Sequence, residues 1–176
     1  MTTPTHRLFF ALWPDKKVRA DIKKHVQSRL LKYPAKKVPM PNWHITLAFL
    51  GNVSAATKAC VVAEASLVKG QSFGLKLDEL GFFKRASIVW LGTKQCPDAL
   101  IQLVQQLNVR LASCGYQPGF KTYTPHLTLL RKADKSFDLK GVTPIEWSVH
   151  DFVLVESVTT NRGATYEVMH RWDLAS

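Results

Sequence analysis

The chain has 176 residues, 46% hydrophobic and 21% charged. That length suits one domain of ordinary size, or two small lobes sharing a cleft, and excludes two large independent domains. The composition can bury a core and is neither disordered nor collagen-like. The 24 Lys and Arg against 13 Asp and Glu leave a formal charge of +11, which favours polyanionic partners, nucleic acid first among them.

Cys60, Cys96 and Cys114 are odd in number and show no CxxC spacing, so neither a disulfide framework nor a zinc ribbon is expected, and a reducing cytoplasm fits. The N-terminal apolar run from Leu8 to Trp13 is too short for a signal-peptide core or a membrane span. No membrane partner is expected.

Arg7 to Trp13 reads as a buried strand, and Pro14-Asp15 as the start of a helix. In that helix Val18, Ile22, Val26 and Leu30 recur every four residues between lysines, giving a basic outer face. Three prolines between Tyr33 and Pro41 end it. Trp43 to Leu50 is rich in aromatic and branched residues and is closed by Gly51-Asn52, so it reads as a strand. Ser54 caps a second helix reaching about Lys69. Phe73 to Phe83 and Ala86 to Leu91 read as two strands of a hairpin joined at Lys84-Arg85. Pro97 opens a third helix with Leu100, Val104, Leu107 and Leu111 on one side, ending at Cys114-Gly115. Tyr123 to Leu130 is a further strand, Asp134 to Thr143 a polar loop, and Ile145 to Val158 with Ala164 to Trp172 a long hairpin around Thr160-Asn161-Arg162-Gly163. This mixture of helices and hairpins argues for an α+β fold.

Two tetrapeptides of the same form stand out: His44-Ile45-Thr46-Leu47 and His126-Leu127-Thr128-Leu129. Each ends a strand–helix–strand run of similar length, one starting at Arg7 and the other near Arg85. Two lobes related by a rough two-fold axis would give this pattern. Strand side chains alternate, so His and Thr two residues apart share a face, roughly 6.5 Å apart along the strand, while Ile45, Leu47, Leu127 and Leu129 face the core. Facing lobes would then bring two imidazoles and two hydroxyls to one cleft. An imidazole titrates near ~6.5, so one of a pair can serve as general base and the other as general acid without a metal. The hydroxyls would hold a phosphoryl oxygen as charge develops on it. In-line attack on a phosphodiester matches that set, and a strained 2′,3′-cyclic phosphate on RNA is a fitting substrate. A single His-x-Thr in a strand is ordinarily structural; two matched copies in a basic chain reverse that reading.

At these residues the sequence resembles the two-histidine (2H) phosphoesterase superfamily, in particular the LigT-like RNA 2′,3′-cyclic phosphodiesterases, also called 2′-5′ RNA ligases. Supporting segments are Arg7-Leu8-Phe9-Phe10-Ala11, Phe49-Leu50-Gly51, Arg131, Glu156-Ser157 and Tyr166. The resemblance covers nearly the whole chain, residues 1–176 as one domain of two intertwined lobes. It implies a bilobal α+β fold with the motifs on two opposing antiparallel sheets about a central cleft, helices outside. It also implies hydrolysis of terminal 2′,3′-cyclic phosphates to 2′-phosphates, with the reverse reaction joining RNA ends through a 2′-5′ linkage. Carried over residue by residue, His44 is the acid that protonates the leaving 3′ oxygen, His126 the base that activates water, and Thr46 and Thr128 bind phosphate oxygens. The reverse direction exchanges the acid and base roles.

Arg131 follows His126 at an odd offset that turns it away from the motif face unless the strand bends near Leu130, in which case it reaches the phosphate. Phe9, Trp43, Phe49 and Tyr123 flank the motif strands and are candidates to stack a terminal base, Phe9 and Tyr123 being preferred. His6, His25, His150 and His170 follow no metal-ligand spacing, so no metal is expected. No cofactor is expected either: Lys76-Leu77-Asp78-Glu79 lacks the glycine of a nucleotidyl-transferring ligase signature, and no P-loop is present. The expected partners are RNAs with 2′,3′-cyclic phosphate ends, tRNA fragments among them, bound by a monomer. The rival readings are a 2′-5′ oligonucleotide or small cyclic-nucleotide phosphodiesterase, and a non-catalytic RNA-binding module.

Overall fold

The structure is a computed structural model that describes residues 5–119, 122–161 and 163–176. Two strand–helix–strand units form its frame. In the first, β1 (His6–Leu12) leads through a helical segment to β3 (Ile45–Val53). A short β2 (Lys36–Lys37) lies between them. The helical segment starts as α1 (Lys16–Ile22), passes through a π-type turn (Lys23–Gln27) and ends as α2 (Ser28–Leu31). Asp15 caps α1 by accepting from the Val18 amide at 2.8 Å, as its place after Pro14 predicts. The π turn has a physical cause. Apolar residues spaced by four drift by about 40° per step on a regular α-helix. A wider turn absorbs the drift, so that Val18, Ile22, Val26 and Leu30 are all buried.

In the second unit, β6 (Ile88–Gly92) leads through α4 (Asp98–Ala112) to β7 (His126–Arg131). The remaining elements are α3 (Ala55–Ala65), β4 (Phe73–Leu77), β5 (Glu79–Phe83), β8 (Ile145–Val149), β9 (Asp151–Thr160) and β10 (Gly163–Asp173). One antiparallel sheet runs β10-β9-β1-β3-β7-β6-β5, and β4 and β8 form a second. Within the large sheet the two units meet at β3 and β7, whose Cα register holds a single pair, Ile45 with Leu127. Farther along β7, β2 takes over that edge, with Lys36 opposite Arg131 and Lys37 opposite Leu130.

One face of this sheet is covered by helices. Leu8, Phe10, Leu12, Ile45, Leu47, Leu127 and Leu129 pack there with Leu100, Leu103, Leu107 and Leu111 of α4. Burying each such side chain contributes about 1.5–3 kcal/mol. The opposite face carries a smaller cluster of Phe9, Ala11, Val153 and Val155, edged by Trp13, Tyr166 and Val168, and borders the cleft.

The α+β class with antiparallel sheets agrees with the sequence reading, but the two motifs, expected on opposing sheets, lie on neighbouring strands of the one large sheet, and several boundaries differ. The strand predicted from Phe73 to Phe83 breaks at Asp78, whose carboxylate accepts from the Lys94 amide at 2.9 Å; its pieces join different sheets. Ile145 to Val158 likewise breaks at His150, whose carbonyl accepts from the Leu174 amide at 2.7 Å. Strand β3 continues past Gly51 to Val53 because Gly51 adopts φ +70°, a conformation that admits one extra residue on the strand. Helix α3 stops at Ala65, short of Lys69, and β7 starts only at His126. Arg162 of the predicted turn lies outside the described residues. The expectation of no disulfide is overturned: Cys60 of α3 and Cys114 beyond α4 are bonded, with Cα atoms 5.8 Å apart. Odd cysteine count and wide spacing hid a pairing that depends on α3 and α4 lying side by side.

Candidate active site

An antiparallel strand pair has a local two-fold axis through each directly opposed pair of residues. Here the axis through Ile45 and Leu127 carries residues 44, 45 and 46 onto 126, 127 and 128. The two His-x-Thr motifs are therefore symmetry mates across one strand contact. Ile45 and Leu127 are fully buried on the helix side, so both histidines and both threonines face the other way. By this register His44 lies across from Thr128, and Thr46 across from His126. The histidines take diagonal positions, whose Cβ atoms in such a ladder are roughly 7–8 Å apart, a spacing that admits a phosphate between the rings.

Both rings are oriented identically. His44 Nδ1 lies 2.7 Å from the Asn42 carbonyl and His126 Nδ1 lies 2.8 Å from the Thr124 carbonyl. A carbonyl only accepts, so Nδ1 carries the proton and Nε2 is the unprotonated nitrogen of each neutral ring. The Thr46 hydroxyl donates to His44 Nε2 at 3.1 Å. Burial pulls the His44 pKa down to about 4, and the positive charges of Arg131, His126 and Arg19 act in the same direction against the Asn42 hydrogen bond. His126 is lowered too, chiefly by burial and further by Arg131.

The rings rest on different beds. His44 stacks on Trp13 at 5.8 Å and 16°, touches Phe9 at 4.7 Å, and meets Tyr166 edge to face at 5.3 Å. His126 meets Phe83 edge to face at 4.9 Å and lies 6.3 Å from Trp90. Trp90 in turn lies flat over Gly81, where an added Cβ would fall 1.9 Å from the indole.

The same irregularity follows both motifs. Leu47 of β3 is unmatched between the pairs Ala11–Thr46 and Phe10–Ala48, and Leu129 of β7 is unmatched between Trp90–Thr128 and Val89–Leu130. Each bulge resets the alternation, so the fifth residue after each histidine, Phe49 and Arg131, turns back to the motif face. This is the bend that Arg131 requires. It lines a cleft of about 420 Å³ with His44, Thr128, Arg7, Lys36, Lys37 and Tyr166, whereas Thr46 and His126 lie outside that lining. Among the described residues no carboxylate lines this cleft.

The other expected contacts differ. Phe9 is 3% exposed, its ring held between His44 and Tyr166; it supports the imidazole and offers no open face to a base. The Tyr123 hydroxyl donates to the Thr46 carbonyl at 3.0 Å, and burial raises its pKa, so Tyr123 braces the first motif from the second half of the chain. Trp43 is buried, its indole N–H on the Val38 carbonyl. Of the four aromatic candidates Phe49 alone is exposed, at 51%, with the Arg7 guanidinium 5.0 Å from its ring centroid. The sequence reading did not assign Trp13, Phe83 and Trp90 to the motifs; their only signal was an aromatic residue beside a strand end or glycine. Among the described residues no three His, Cys, Asp or Glu side chains group as metal ligands, and no helix is long and apolar enough to cross a membrane.

The model of the 2′-5′ RNA ligase superfamily matches residues 11–161. The RNA 2′,3′-cyclic phosphodiesterase of Escherichia coli K12 is 34% identical over 173 residues, covering 96% of each chain. The crystal structure of E. coli LigT complexed with 3′-AMP aligns with a TM-score of 0.86 at 32% identity, over 98% of this chain and 100% of that one. A crystal structure of a Thermus thermophilus protein aligns with a TM-score of 0.82 at 25% identity, over 96% and 97%.

Proposed function

Because the chain belongs to the 2′-5′ RNA ligase superfamily, we propose that it hydrolyses RNA 2′,3′-cyclic phosphate ends to 2′-phosphates by acid–base catalysis between His44 and His126. The relatives carry that activity in their names. The observation that supports it most is the dyad through Ile45 and Leu127, which gives both imidazoles one face, each with its Nδ1 proton on a backbone carbonyl and its Nε2 turned from that bond, in His44 toward the Thr46 hydroxyl.

In the hydrolytic direction His126 accepts a proton from water as the water oxygen attacks phosphorus. The bond from phosphorus to the 3′ oxygen breaks, and His44 delivers a proton to that oxygen. Burial by itself keeps His44 neutral; an anionic phosphodiester beside it favours the protonated ring, so the acid forms in the substrate complex. Thr46, Thr128 and Arg131 hold the non-bridging oxygens, and Phe49 takes the base-stacking role first given to Phe9 and Tyr123. With the 5′-hydroxyl of a second RNA in place of water, the same displacement forms a 2′-5′ linkage and needs no nucleotide cofactor.

The cations of the cleft favour RNA over a mononucleotide, and fragments of tRNA are the substrates we infer. We read the chain as one domain of two intertwined lobes, monomeric because, among the described residues, the exposed large apolar side chains are mostly scattered over different elements, and cytoplasmic.

The test is an RNA ending in a 2′,3′-cyclic phosphate, incubated with chelator. The expected product is the 2′-phosphate, and His44→Ala and His126→Ala should each lower the rate by about 10²–10⁴. Full turnover in both variants, or a 3′-phosphate product, would refute the reading.

A further inference from the structure

His44 and His126 are related by the dyad, yet they are braced differently: Phe83 and Trp90 flank His126, whereas a stacked indole supports His44. The β1 register runs to Leu12 opposite Ile45, and the next residue, Trp13, stacks its indole on His44; Gly92 lies opposite His126, so that stacked indole has no counterpart there. Arg19, on α1, lies over that indole, its guanidinium carbon 5.3 Å from the Trp13 ring centroid. The same guanidinium donates to three carbonyls: Nε to Pro14 at 2.9 Å, Nη2 to Trp43 at 3.1 Å, and Nη1 to Met40. Met40 and Trp43 bracket the single turn Met40–Asn42, and the carbonyl of Asn42 receives the Nδ1 proton of His44. Arg19 thus ties together both things that orient His44, the surface on which it stacks and the turn that carries its hydrogen-bond acceptor. It does not line the substrate cleft; with Trp13 it lines a separate hollow of about 430 Å³.

We propose that Arg19 is a positioning residue for His44, holding the imidazole in line with the scissile bond through Trp13 and the Met40–Asn42 turn without touching substrate. The proposal rests on His44 belonging to the catalytic pair. The side chain must be arginine because a planar fork can stack on an indole and reach three carbonyls at once, whereas an ammonium is a point donor. Orientation of this kind carries weight: a misplacement of about 1 Å at a reacting group costs roughly 10²-fold in rate.

Arg19→Lys and Arg19→Gln are to be compared with the parent on cyclic-phosphate RNA, and the two histidines followed by NMR titration without substrate. The titratable and charged groups facing His44 are Arg19 from α1, Arg131 and His126 from β7, and Tyr166 from β10; Arg7, Lys36 and Lys37 line the same cleft. Both variants should lose about 10–10²-fold in kcat with KM within about twofold. In Arg19→Gln the His44 midpoint should rise, because a nearby positive charge is gone, while that of His126 stays in place. Arg19→Lys keeps the charge without the fork, so its kcat should fall with a smaller midpoint change, which keeps the test decisive if Arg19→Gln fails to fold. A kcat within twofold of the parent in Arg19→Lys, or equal movement of both histidine midpoints, would overturn the proposal. The two failures are distinguishable: failure here shows as a parental kcat in Arg19→Lys or as equal movement of both midpoints, whereas failure of the phosphodiesterase reading shows as an active His44→Ala.

Discussion

Phe49 and Arg131 occupy equivalent positions in the two halves of the molecule, each the fifth residue after its histidine and each turned to the motif face by a bulge at the second preceding residue, Leu47 or Leu129. Equivalent backbone thus presents an aromatic ring on one flank and a guanidinium on the other. A cyclic nucleotide end has the same two parts, a base and a phosphate.

The two flanks should separate kinetically. Phe49→Ala should raise KM for a cyclic-phosphate end by about 5–10²-fold with little change in kcat, matching the ~1–3 kcal/mol of a base–aromatic stack. Arg131→Ala should weaken binding and reduce the slope of log affinity against log salt by about 1. Steady-state kinetics and a salt series on both variants check this; an unchanged salt slope in Arg131→Ala would count against phosphate contact.

Protonation should depend on occupancy. Burial lowers both histidines; a bound phosphodiester anion favours their charged forms. The alkaline limb of the kcat profile should therefore lie at higher pH than that of kcat/KM, since the former reports the complex and the latter the free enzyme. Superimposable limbs would contradict the proposed origin of the acid.

Stability should follow the same groups. His44 titrates near ~6.5 in an unfolded chain and at about 4 in the fold, so between those values the unfolded state binds more protons. The contribution is complete above pH 6.5 and is lost as pH falls toward about 4, by roughly 3 kcal/mol. Urea denaturation at pH 7 and 4.5 should show a smaller loss in His44→Asn than in the parent.

Gly81 is a packing requirement of the His126 bed. A Cβ there would fall on the Trp90 indole, so Gly81→Ala should cost about 1–3 kcal/mol, alter the tryptophan fluorescence and lower kcat through displacement of Trp90 toward His126. Thermal melts and emission spectra measure it.

The Cys60–Cys114 bond links positions 54 apart in sequence and lies between α3 and α4, away from the cleft. Cys60→Ser should lower stability by about 2–4 kcal/mol and leave kcat at 25 °C unchanged.

How much of this was legible in one dimension depends on the range of the interactions involved. The His-x-Thr alternation, the Asp15 and Ser54 caps and the buried leucines beside each motif are dictated by residues within a few positions of one another, and periodicity reports them directly. The phase of Arg131 and Phe49 is not, because a bulge becomes visible only when a strand is laid against its neighbour. Phe9 and Phe49 are chemically identical on paper; burial under His44 and Tyr166 or exposure beside Arg7 separates them. The bracing of His44 by Arg19, the bed of Trp90 over Gly81 and the cysteine pair each join side chains from distant parts of the chain. Local patterning could name the candidate groups, whereas their alignment, their proton affinity and the face left open beside them follow from long-range packing.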